Sequence, residues 1–350
     1  MVRHVVFAVP GSLDTPTGGY AYDRRIIAEL RELGWFVDYL DIGERFPWPD
    51  EATRSTARSL LLKVPAGQPI VLDGLALGVL PDVAAELASR NPLLALVHHP
   101  LALEWGLSAN QADVLRRSEQ AALAAAREVV VTSPATARLV AADYGVPMGH
   151  IAVARPGSDP APRSTGSQSE IPHLLSVGSI VPRKGFDVLI AALGRLAELP
   201  WRLTIAGDLT RDPNEAAKLQ ACICQHGLGG RIEALGAVSS ERLAALHKDA
   251  DLFVLASRFE GYGMAYAEAI AHGLPVIGTT AGAIPDTVPQ GAGLLVTPGD
   301  VTALAQALRN VIADTDLRRR LSNAAVAAAE TLPTWKQSGA VFAGVLDKLA

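Results

Sequence analysis

Short apolar runs alternate with longer amphipathic stretches along this chain, and the alternation occurs in two rounds. A repeated strand–helix order favours a parallel sheet with helices on both faces. In the first round we predict strands at residues 5–9, 37–40, 70–72, 93–97 and 129–132, and helices at residues 17–33, 80–89 and 110–127. A chain of 350 residues is long enough for two such domains.

The second round follows residues 160–172, whose Pro, Ser and Gly content is typical of a linker. Its predicted strands are residues 174–177, 202–206, 232–235, 252–255, 275–278 and 293–296, and its predicted helices are residues 186–196, 214–225, 239–248, 264–271 and 301–313. We therefore predict two similar, doubly wound α/β domains facing each other across a cleft, at residues 1–160 and 173–334 with a linker at 161–172. Ligands of such sheets bind at the C-terminal strand ends, so the loops that follow strands are the candidate sites.

Composition excludes several classes of protein. The chain is 49% hydrophobic and 19% charged, which is typical of a globular protein, and its net charge of −5 gives no field that favours nucleic acid. Cys222 and Cys224 lie two positions apart on a predicted helix and do not face each other, which fits a reducing compartment. The first ten residues lack the layout of a signal peptide, and no apolar run is long enough to span a bilayer. We expect a cytoplasmic protein.

Two glutamates eight positions apart, Glu260 and Glu268, mark the most informative segment. Gly261 and Gly263 are poor helix residues, so a helix should begin near Met264. The N–H groups that would point out of its N-terminus belong to Tyr262, Gly263, Met264 and Ala265. Such groups form an anion site. Carboxylates beside an anion site suit a ligand that carries hydroxyls and phosphates together, such as a sugar nucleotide.

Two strand ends in the first domain carry candidate residues. Gly18 and Gly19 would let the backbone approach a ligand at a helix N-terminus, although a plain strand–helix turn is the alternative. His98 directly follows a buried strand, where ligands bind, and the alternative is a structural histidine. His99 leaves open which histidine has the role. A metal pair is disfavoured because adjacent residues point apart and no third ligand is evident.

Two loops in the second domain carry further candidates. Arg183 and Lys184 are adjacent cations in a loop that starts at Gly178, and they could neutralise a diphosphate; an exposed charge pair is the alternative. Gly207 would give a ligand access after the next strand, whereas Asp208 fits a turn or cap. The small residues at 279–283 are expected to leave room for a ligand. His272 is assigned no role, since it fits a helix end.

Residues 260–300 closely resemble the donor-binding core of the large family of retaining glycosyltransferases with the GT-B fold, often called family 4. The spacing of Glu260 and Glu268 is the hallmark of that family. Gly178 to Gly185 is similar to its phosphate-binding loop, and the segment that ends at Val238 occupies a familiar place before the hallmark. The resemblance covers most of the chain, with weaker matches at Gly18, Gly19 and His98.

The resemblance implies roles for these residues. Glu268 would accept hydrogen bonds from the ribose, and Glu260 would contact the transferred sugar. Arg183 and Lys184 would stabilise the departing diphosphate, and His98 would lie near the sugar. The other residues implied in donor binding are Gly18, Gly19, Gly178, Gly207, Val238, Gly261, Tyr262, Gly263 and Met264. Such enzymes retain anomeric configuration and react on the front face of the sugar through an oxocarbenium-like state. They generally need no divalent metal and no cofactor besides the nucleotide sugar.

The chain departs from the family pattern at Ser179, where the family usually has an arginine; Arg183 is then the residue that would supply the missing charge. The sequence leaves two other functions open. One is a non-catalytic subunit that binds sugar nucleotides on the same fold. The other is a phosphorylase or epimerase with a related two-domain fold.

The acceptor has no pattern of its own in the sequence, so a glycan, a lipid-linked acceptor and a small molecule remain open. Arg54, Arg58 and Lys63 are either a basic patch facing the inner side of a membrane or an ordinary solvated helix face. The last segment, residues 335–350, is predicted to be a helix that packs back on the first domain.

Overall fold

The computed structural model describes residues 3–349 of the chain. These residues form two compact units. The first unit runs up to Gly157 and takes in the chain from Pro333 onward, and the second is Ser158–Leu332. Each unit is built on one six-stranded sheet in which every pairing is parallel. The predicted α/β fold class is confirmed.

The first sheet has the strand order β2-β1-β3-β4-β5-β6. Its strands are β1 (His4–Val9), β2 (Phe36–Asp41), β3 (Ile70–Asp73), β4 (Leu93–Val97), β5 (Glu128–Val131) and β6 (Ile151–Val153). Its helices are α1 (Gly18–Glu32), α2 (Glu51–Leu61), α3 (Gly74–Leu77), α4 (Pro81–Ala88), α5 (Ala109–Ala125) and α6 (Pro134–Tyr144). Strands β3 and β4 are buried on both faces, which explains why their sequences are continuous apolar runs.

The second sheet has the strand order β12-β11-β10-β7-β8-β9. Its strands are β7 (His173–Val177), β8 (Arg202–Ala206), β9 (Ile232–Ala234), β10 (Leu252–Val254), β11 (Val276–Thr279) and β12 (Gly293–Val296). Its helices are α7 (Phe186–Gly194), α8 (Pro213–Gln225), α9 (Ser240–Asp249), α10 (Met264–Ala271), α11 (Ile284–Thr287), α12 (Val301–Ala313) and α13 (Thr315–Ala329). One large apolar core fills both faces of this sheet.

Each sheet has a point where the strand order reverses, and ligands of doubly wound folds bind there. In the second sheet, β7, β8 and β9 run to one side and the chain returns to place β10 on the other side of β7. The loops after β7 and β10 therefore diverge from a common point. In the first sheet, the corresponding reversal lies between β1 and β3.

The last helix, α14 (Trp335–Leu349), packs within the first unit. Phe342 stacks on Phe7 with ring centroids 6.0 Å apart, and the Ser338 hydroxyl donates to the Arg155 carbonyl. Gly339 lies so close to α1 that an added Cβ would approach the Glu29 Cβ to 2.4 Å. The close contact explains why a residue without a side chain stands at this point.

The segment expected to be a linker is fastened to the second unit. The Ser164 backbone N–H donates to the His272 carbonyl at 2.8 Å, and its hydroxyl donates to the Lys248 and Ala250 carbonyls. The Ser167 N–H donates to the Asp251 carboxylate at 3.2 Å. This segment, rich in Pro, Ser and Gly, is thus irregular in structure but held to the second unit by hydrogen bonds.

Two other expectations are tested by the fold. Cys222 and Cys224 are both free on α8, as predicted. Arg58 makes a two-point ion pair with Glu86 (2.8 and 2.7 Å), and Arg54 donates to the Val79 carbonyl, which favours a structural helix face over a basic patch. Within residues 3–349, none of the helices has both the length and the apolar character needed to cross a bilayer.

Candidate functional site

Four side chains meet at the strand reversal of the second sheet, and we call them the cationic cluster: Arg183, Lys184, Ser257 and Glu260. The Lys184 ammonium lies 2.7 Å from Glu260 Oε1, and the Arg183 guanidinium lies 3.2 Å from Oε2. The Ser257 hydroxyl donates to Oε1 at 2.6 Å. The loops after β7 and β10 each supply two members, so the strand order brings them together.

Two cations surround one carboxylate in this cluster. Only 6% of Glu260 is exposed. Burial by itself would raise the pKa of its carboxyl, but Lys184 and Arg183 outweigh burial and lower that pKa to about 2. Glu260 is therefore ionised, and the cluster keeps one positive charge in excess. Sequence reasoning expected Glu260 to contact a sugar and did not foresee that it anchors the two cations.

Glycines allow the loops around the cluster to pack tightly. A Cβ on Gly207 would lie 1.8 Å from the Gly178 carbonyl oxygen, and a Cβ on Gly185 would lie 2.1 Å from the Ala256 carbonyl oxygen. Gly185 also has a φ of +66°, which favours glycine. Gly207 thus lets its loop pack against the loop that contains Gly178. The sequence pattern predicted instead that Gly207 gives a ligand access.

Arg258 fixes the cationic loop in place, a role that sequence reasoning missed. Its backbone N–H donates to the Arg183 carbonyl at 2.8 Å, and its guanidinium donates to the Pro182 carbonyl at 2.5 Å. The same guanidinium lies 2.6 Å from the Asp187 carboxylate at the start of α7. These contacts join the loop after β10 to the loop after β7.

Helix α10 begins at Met264, which confirms the predicted start. Gly263 caps it with a φ of +93°, and a Cβ there would lie 2.9 Å from the Tyr266 ring. Within residues 3–349, the N–H groups of Gly263, Met264 and Ala265 have no hydrogen-bond partner. Since Gly263 lies against Glu260, these donors lie beside the cationic cluster.

The small residues after β11 have a different purpose from the one expected. A Cβ on Gly282 would lie 2.3 Å from the Glu260 carbonyl oxygen, and the Ala283 N–H donates to that oxygen at 2.9 Å. The expectation that this loop leaves room for a ligand is wrong at Gly282, because the space is taken by the Glu260 backbone. This loop instead holds Glu260 in position.

Glu268 lies about one turn into α10 and is partly exposed. Burial raises the pKa of its carboxyl to about 7; Lys184 opposes this rise and Asp159 adds to it. None of the described residues donates a hydrogen bond to this carboxylate. It is thus a carboxylate beside the cationic cluster that can still accept hydrogen bonds.

A second group lies at the strand reversal of the first sheet, and we call it the histidine cluster: Asp23, Asp73 and His98. His98 Nε2 is 3.1 Å from Asp23 Oδ1 and 3.3 Å from Asp73 Oδ2. Asp73 also caps α3 through a hydrogen bond from the Leu75 N–H. His99 Nε2 lies instead 3.3 Å from Glu104. His98 is thus the histidine that belongs to this strand end.

The N-terminus of α1 borders the histidine cluster. Thr17 caps this helix by accepting from the Tyr20 N–H, and an added Cβ on Gly19 would lie 3.5 Å from the His98 ring. Among residues 3–349, the N–H groups of Gly18 and Gly19 have no partner. These two glycines therefore present backbone donors next to His98.

The histidine cluster also has the composition of a cation site, since its three ligand atoms lie within 4.8 Å of one another. Its geometry favours hydrogen bonding, because Nε2 is already within reach of both carboxylates. Asp23 and Asp73 raise the pKa of His98 to about 10 against the opposing effect of burial. On this geometry we treat the group as a hydrogen-bonded one.

The remaining sequence candidates lie outside both clusters. Asp208 accepts from the Thr210 N–H at 2.7 Å, which confirms the predicted turn. His272 stacks on His247 and hydrogen-bonds the Pro162 carbonyl. Val238 packs on the core of the second unit. Ser179 stands where the family usually has an arginine. Arg183 is the arginine of this loop that reaches Glu260.

Residues 158–327 match the family model described as glycosyl transferases group 1. Mannosylfructose-phosphate synthase of Agrobacterium fabrum is 30% identical over 225 residues, which are 59% of this chain and 50% of that protein. The chain spans about half to two thirds of the length of the curated relatives it matches first.

Solved structures resemble the whole chain. Sucrose-phosphate synthase of Thermosynechococcus elongatus has a TM-score of 0.84 at 21% identity, with 99% of both chains covered. HepE of Anabaena, solved in complex with UDP-glucose, has a TM-score of 0.77 at 21% identity, again with 99% of both chains covered.

The class of the molecule is therefore the two-domain α/β architecture known as the GT-B fold. Within that class, the second unit is the part of the chain that matches the glycosyl transferases group 1 model.

Proposed function

We propose that this chain transfers a sugar from a nucleotide-diphosphate sugar to an acceptor hydroxyl, with retention of anomeric configuration and without a divalent metal. The observation that carries the proposal is the cationic cluster. It lies where the second sheet reverses its strand order, beside the unpaired N–H groups of α10. Its excess positive charge and these donors suit a diphosphate.

The ribose has a matching acceptor close by. Glu268 is partly exposed, and none of the described residues donates to its carboxylate. Lys184 is near enough to lower the pKa of this carboxyl, so the ammonium and the carboxylate belong to one site. Glu268 lies about one turn into α10, whose N-terminus borders the cluster. A diphosphate at the cluster and a ribose at Glu268 would therefore lie close together, and the two groups are bonded to each other in a nucleotide.

The proposed reaction breaks the bond between the anomeric carbon and the diphosphate oxygen, and the electron pair leaves with the diphosphate. The acceptor oxygen bonds to the same face of that carbon and gives its proton to a phosphate oxygen of the leaving group. Arg183 and Lys184 stabilise the charge that develops on the diphosphate, which is the task a metal ion performs elsewhere. Direct contact between Glu260 and the sugar stays a prediction.

The acceptor is the least defined partner. Two of the similar proteins are named for phosphorylated products. We therefore place sugar phosphates first in an acceptor panel, followed by glycans and lipid-linked acceptors. Contact with a membrane surface stays a prediction that the lipid-linked members of this panel would test.

The test begins with binding of UDP, GDP and ADP and of their common sugars to the wild type, measured by thermal shift and calorimetry. Donor turnover with EDTA present and the anomeric configuration of the product, determined by NMR, then test metal independence and retention. Lys218→Ala is a matched control for Lys184→Ala, because Lys218 is exposed and its one ion pair within residues 3–349 is with Glu215 on its own helix. Tight binding without transfer to any acceptor would instead support a non-catalytic subunit.

A phosphorylase or epimerase would behave differently. A phosphorylase would exchange the sugar with orthophosphate, and an epimerase would convert the donor without transfer to an acceptor hydroxyl. Release of nucleoside diphosphate in step with acceptor glycosylation supports the proposed transferase, whereas acceptor-independent conversion of the donor contradicts it.

A further inference from the structure

The ring of His98 is held from one side only. Its Nε2 faces two carboxylates, Asp23 Oδ1 at 3.1 Å and Asp73 Oδ2 at 3.3 Å. Both aspartates are buried, with 0% and 3% of their surfaces exposed. Within residues 3–349, no hydrogen bond reaches Nδ1, and 23% of the His98 side chain is exposed. The two ring nitrogens therefore have opposite surroundings, one inside the protein and one accessible.

Two carboxylates around one imidazole favour its charged form. Buried carboxylates need a partner that carries positive charge, and the ring is the group that both of them reach. Even if one of the two carboxyls holds a proton, the other remains as a counterion for the imidazolium. Burial raises the pKa of Asp23 to about 6, and His98 opposes that rise.

The other neighbours do not reverse this balance. Tyr22 meets the His98 ring edge-on at 5.3 Å, and burial keeps its phenol neutral by raising the pKa. Arg24 acts on Asp23 and lowers the pKa of that carboxyl, which keeps it available as a counterion. His99 is directed to Glu104.

We propose that Asp23 and Asp73 are positioning residues that hold His98 as an imidazolium, with Nε2–H turned into the protein and Nδ1–H presented as a donor to an oxygen of the substrate. The inference deepens the proposed function and rests on it for the identity of the substrate. A neutral His98 would offer Nδ1 as an acceptor and could act as a base. The charged ring instead binds an oxygen and stabilises negative charge on it.

Histidine-selective ¹⁵N labelling and ¹H–¹⁵N NMR test the charge directly, with His98→Gln used for assignment. In the wild type at pH 8 we expect both ring nitrogens of His98 to carry protons. Asp73→Asn should lower the midpoint of its titration by about one pH unit or more. Asp38→Asn is the matched control, because Asp38 pairs with exposed His4 at 2.7 Å, and this change should leave the His98 signals unmoved.

A neutral His98 at pH 8 in the wild type would overturn the proposal, and this result needs no folded variant. A change in the Nε2 signal on adding one equivalent of Zn²⁺ to EDTA-treated protein would also overturn it in favour of a metal site. Asp23→Glu is the conservative variant, and it should keep the imidazolium that Asp23→Asn weakens. Near-UV circular dichroism checks that each variant is folded.

The pH profile of kcat supplies the functional readout. The wild type should show no loss of kcat between pH 7 and 9 attributable to His98, whereas Asp73→Asn should lose kcat as the pH rises through the lowered titration midpoint. An unchanged profile in a folded Asp73→Asn variant whose His98 midpoint has moved would contradict the positioning role. If no donor is turned over at all, the proposed function fails, while the NMR titration still decides the charge of His98.

Discussion

The two sheets carry buried charged clusters at equivalent places, the reversal of strand order, but the clusters have opposite composition. The cationic cluster places two cations around Glu260, and the histidine cluster places two carboxylates around His98. In the cationic cluster, Glu260 contacts both cations. In the histidine cluster, His98 contacts both carboxylates. The cationic cluster has positive charge left to bind a ligand. The histidine cluster has one ring nitrogen, Nδ1 of His98, left to contact a ligand.

The proposed function gives the two clusters different tasks. A diphosphate is a diffuse anion, so a site with surplus cations and backbone donors suits it. A sugar or acceptor hydroxyl is a small neutral group, for which one oriented donor is enough.

Removing Lys184 should have the largest effect. Lys184→Ala deletes one of the two charges that would stabilise the leaving diphosphate, and loss of a single such contact typically lowers kcat by about 10²–10³-fold. Steady-state donor turnover measures the loss. Lys218→Ala should stay near the wild-type rate, and equal rates in all three proteins would remove the cationic cluster from the mechanism.

Neutralising Glu260 should reduce stability more than any other single change in the cluster. Glu260→Gln leaves two cations without a counterion, and breaking a buried pair in this way costs about 3–5 kcal/mol. Chemical denaturation at pH 7 gives the free energy of unfolding. Glu233→Gln, at an exposed glutamate on β9, is the control. A loss below about 1 kcal/mol would show that Glu260 is not the anchor.

The same comparison has a defined pH dependence. Because the pKa of Glu260 is lowered in the folded state to about 2, its stabilising contribution is present above its usual pKa of 4.5 and is lost as the pH falls towards 2. The stability difference between wild type and Glu260→Gln should therefore shrink from pH 5 to pH 2. A constant difference over that interval would contradict the ion-paired state.

Packing between the two loops should have a smaller effect. Gly207→Ala places a Cβ 1.8 Å from the Gly178 carbonyl oxygen, so a backbone must move, and overpacking of this kind costs about 1–3 kcal/mol. Thermal unfolding measures it. An added Cβ at Gly230 meets nothing within 4 Å, so Gly230→Ala should be close to neutral. Equal melting temperatures would argue against tight loop contact.

Protonation of Glu268 should give the smallest effect, about tenfold in nucleotide affinity per pH unit at most. Its pKa is raised to about 7, and ribose hydroxyls donate to the ionised form, so affinity should fall as the pH drops below 7. Calorimetry between pH 6 and 8 measures this dependence. Glu268→Gln should bind with little change over that range, and a parallel slope in the variant would assign the dependence to another group.

Much of the fold could be predicted from the sequence. The predicted strands all lie within one residue of the observed ends, because buried parallel strands are short apolar runs bounded by turns. The predicted helices leave out α2, α3, α6, α11 and α13, and the predicted strands leave out β6. Helix α2 contains Ser and Thr residues that favour caps and turns, and α6 has few polar residues to define an amphipathic period.

The site was only partly predictable. The start of α10 follows from two glycines, a local signal. The pairing of His98 with Asp23 joins residues 75 positions apart, and the pairing of Lys184 with Glu260 joins residues 76 apart. These contacts depend on the strand order, which periodicity does not specify. Arg258 was overlooked for the same reason, since its partners lie on another loop.

The central claim is that the cationic cluster binds the diphosphate, and a binding cycle tests it most directly. Calorimetry would compare the nucleoside diphosphate preferred in the nucleotide panel with its nucleoside, on the wild type and on Lys184→Ala. We predict that the variant loses most of the affinity contributed by the diphosphate and binds the nucleoside as the wild type does. Equal affinity of both proteins for the nucleoside diphosphate, or no nucleotide binding by the wild type, would contradict the claim.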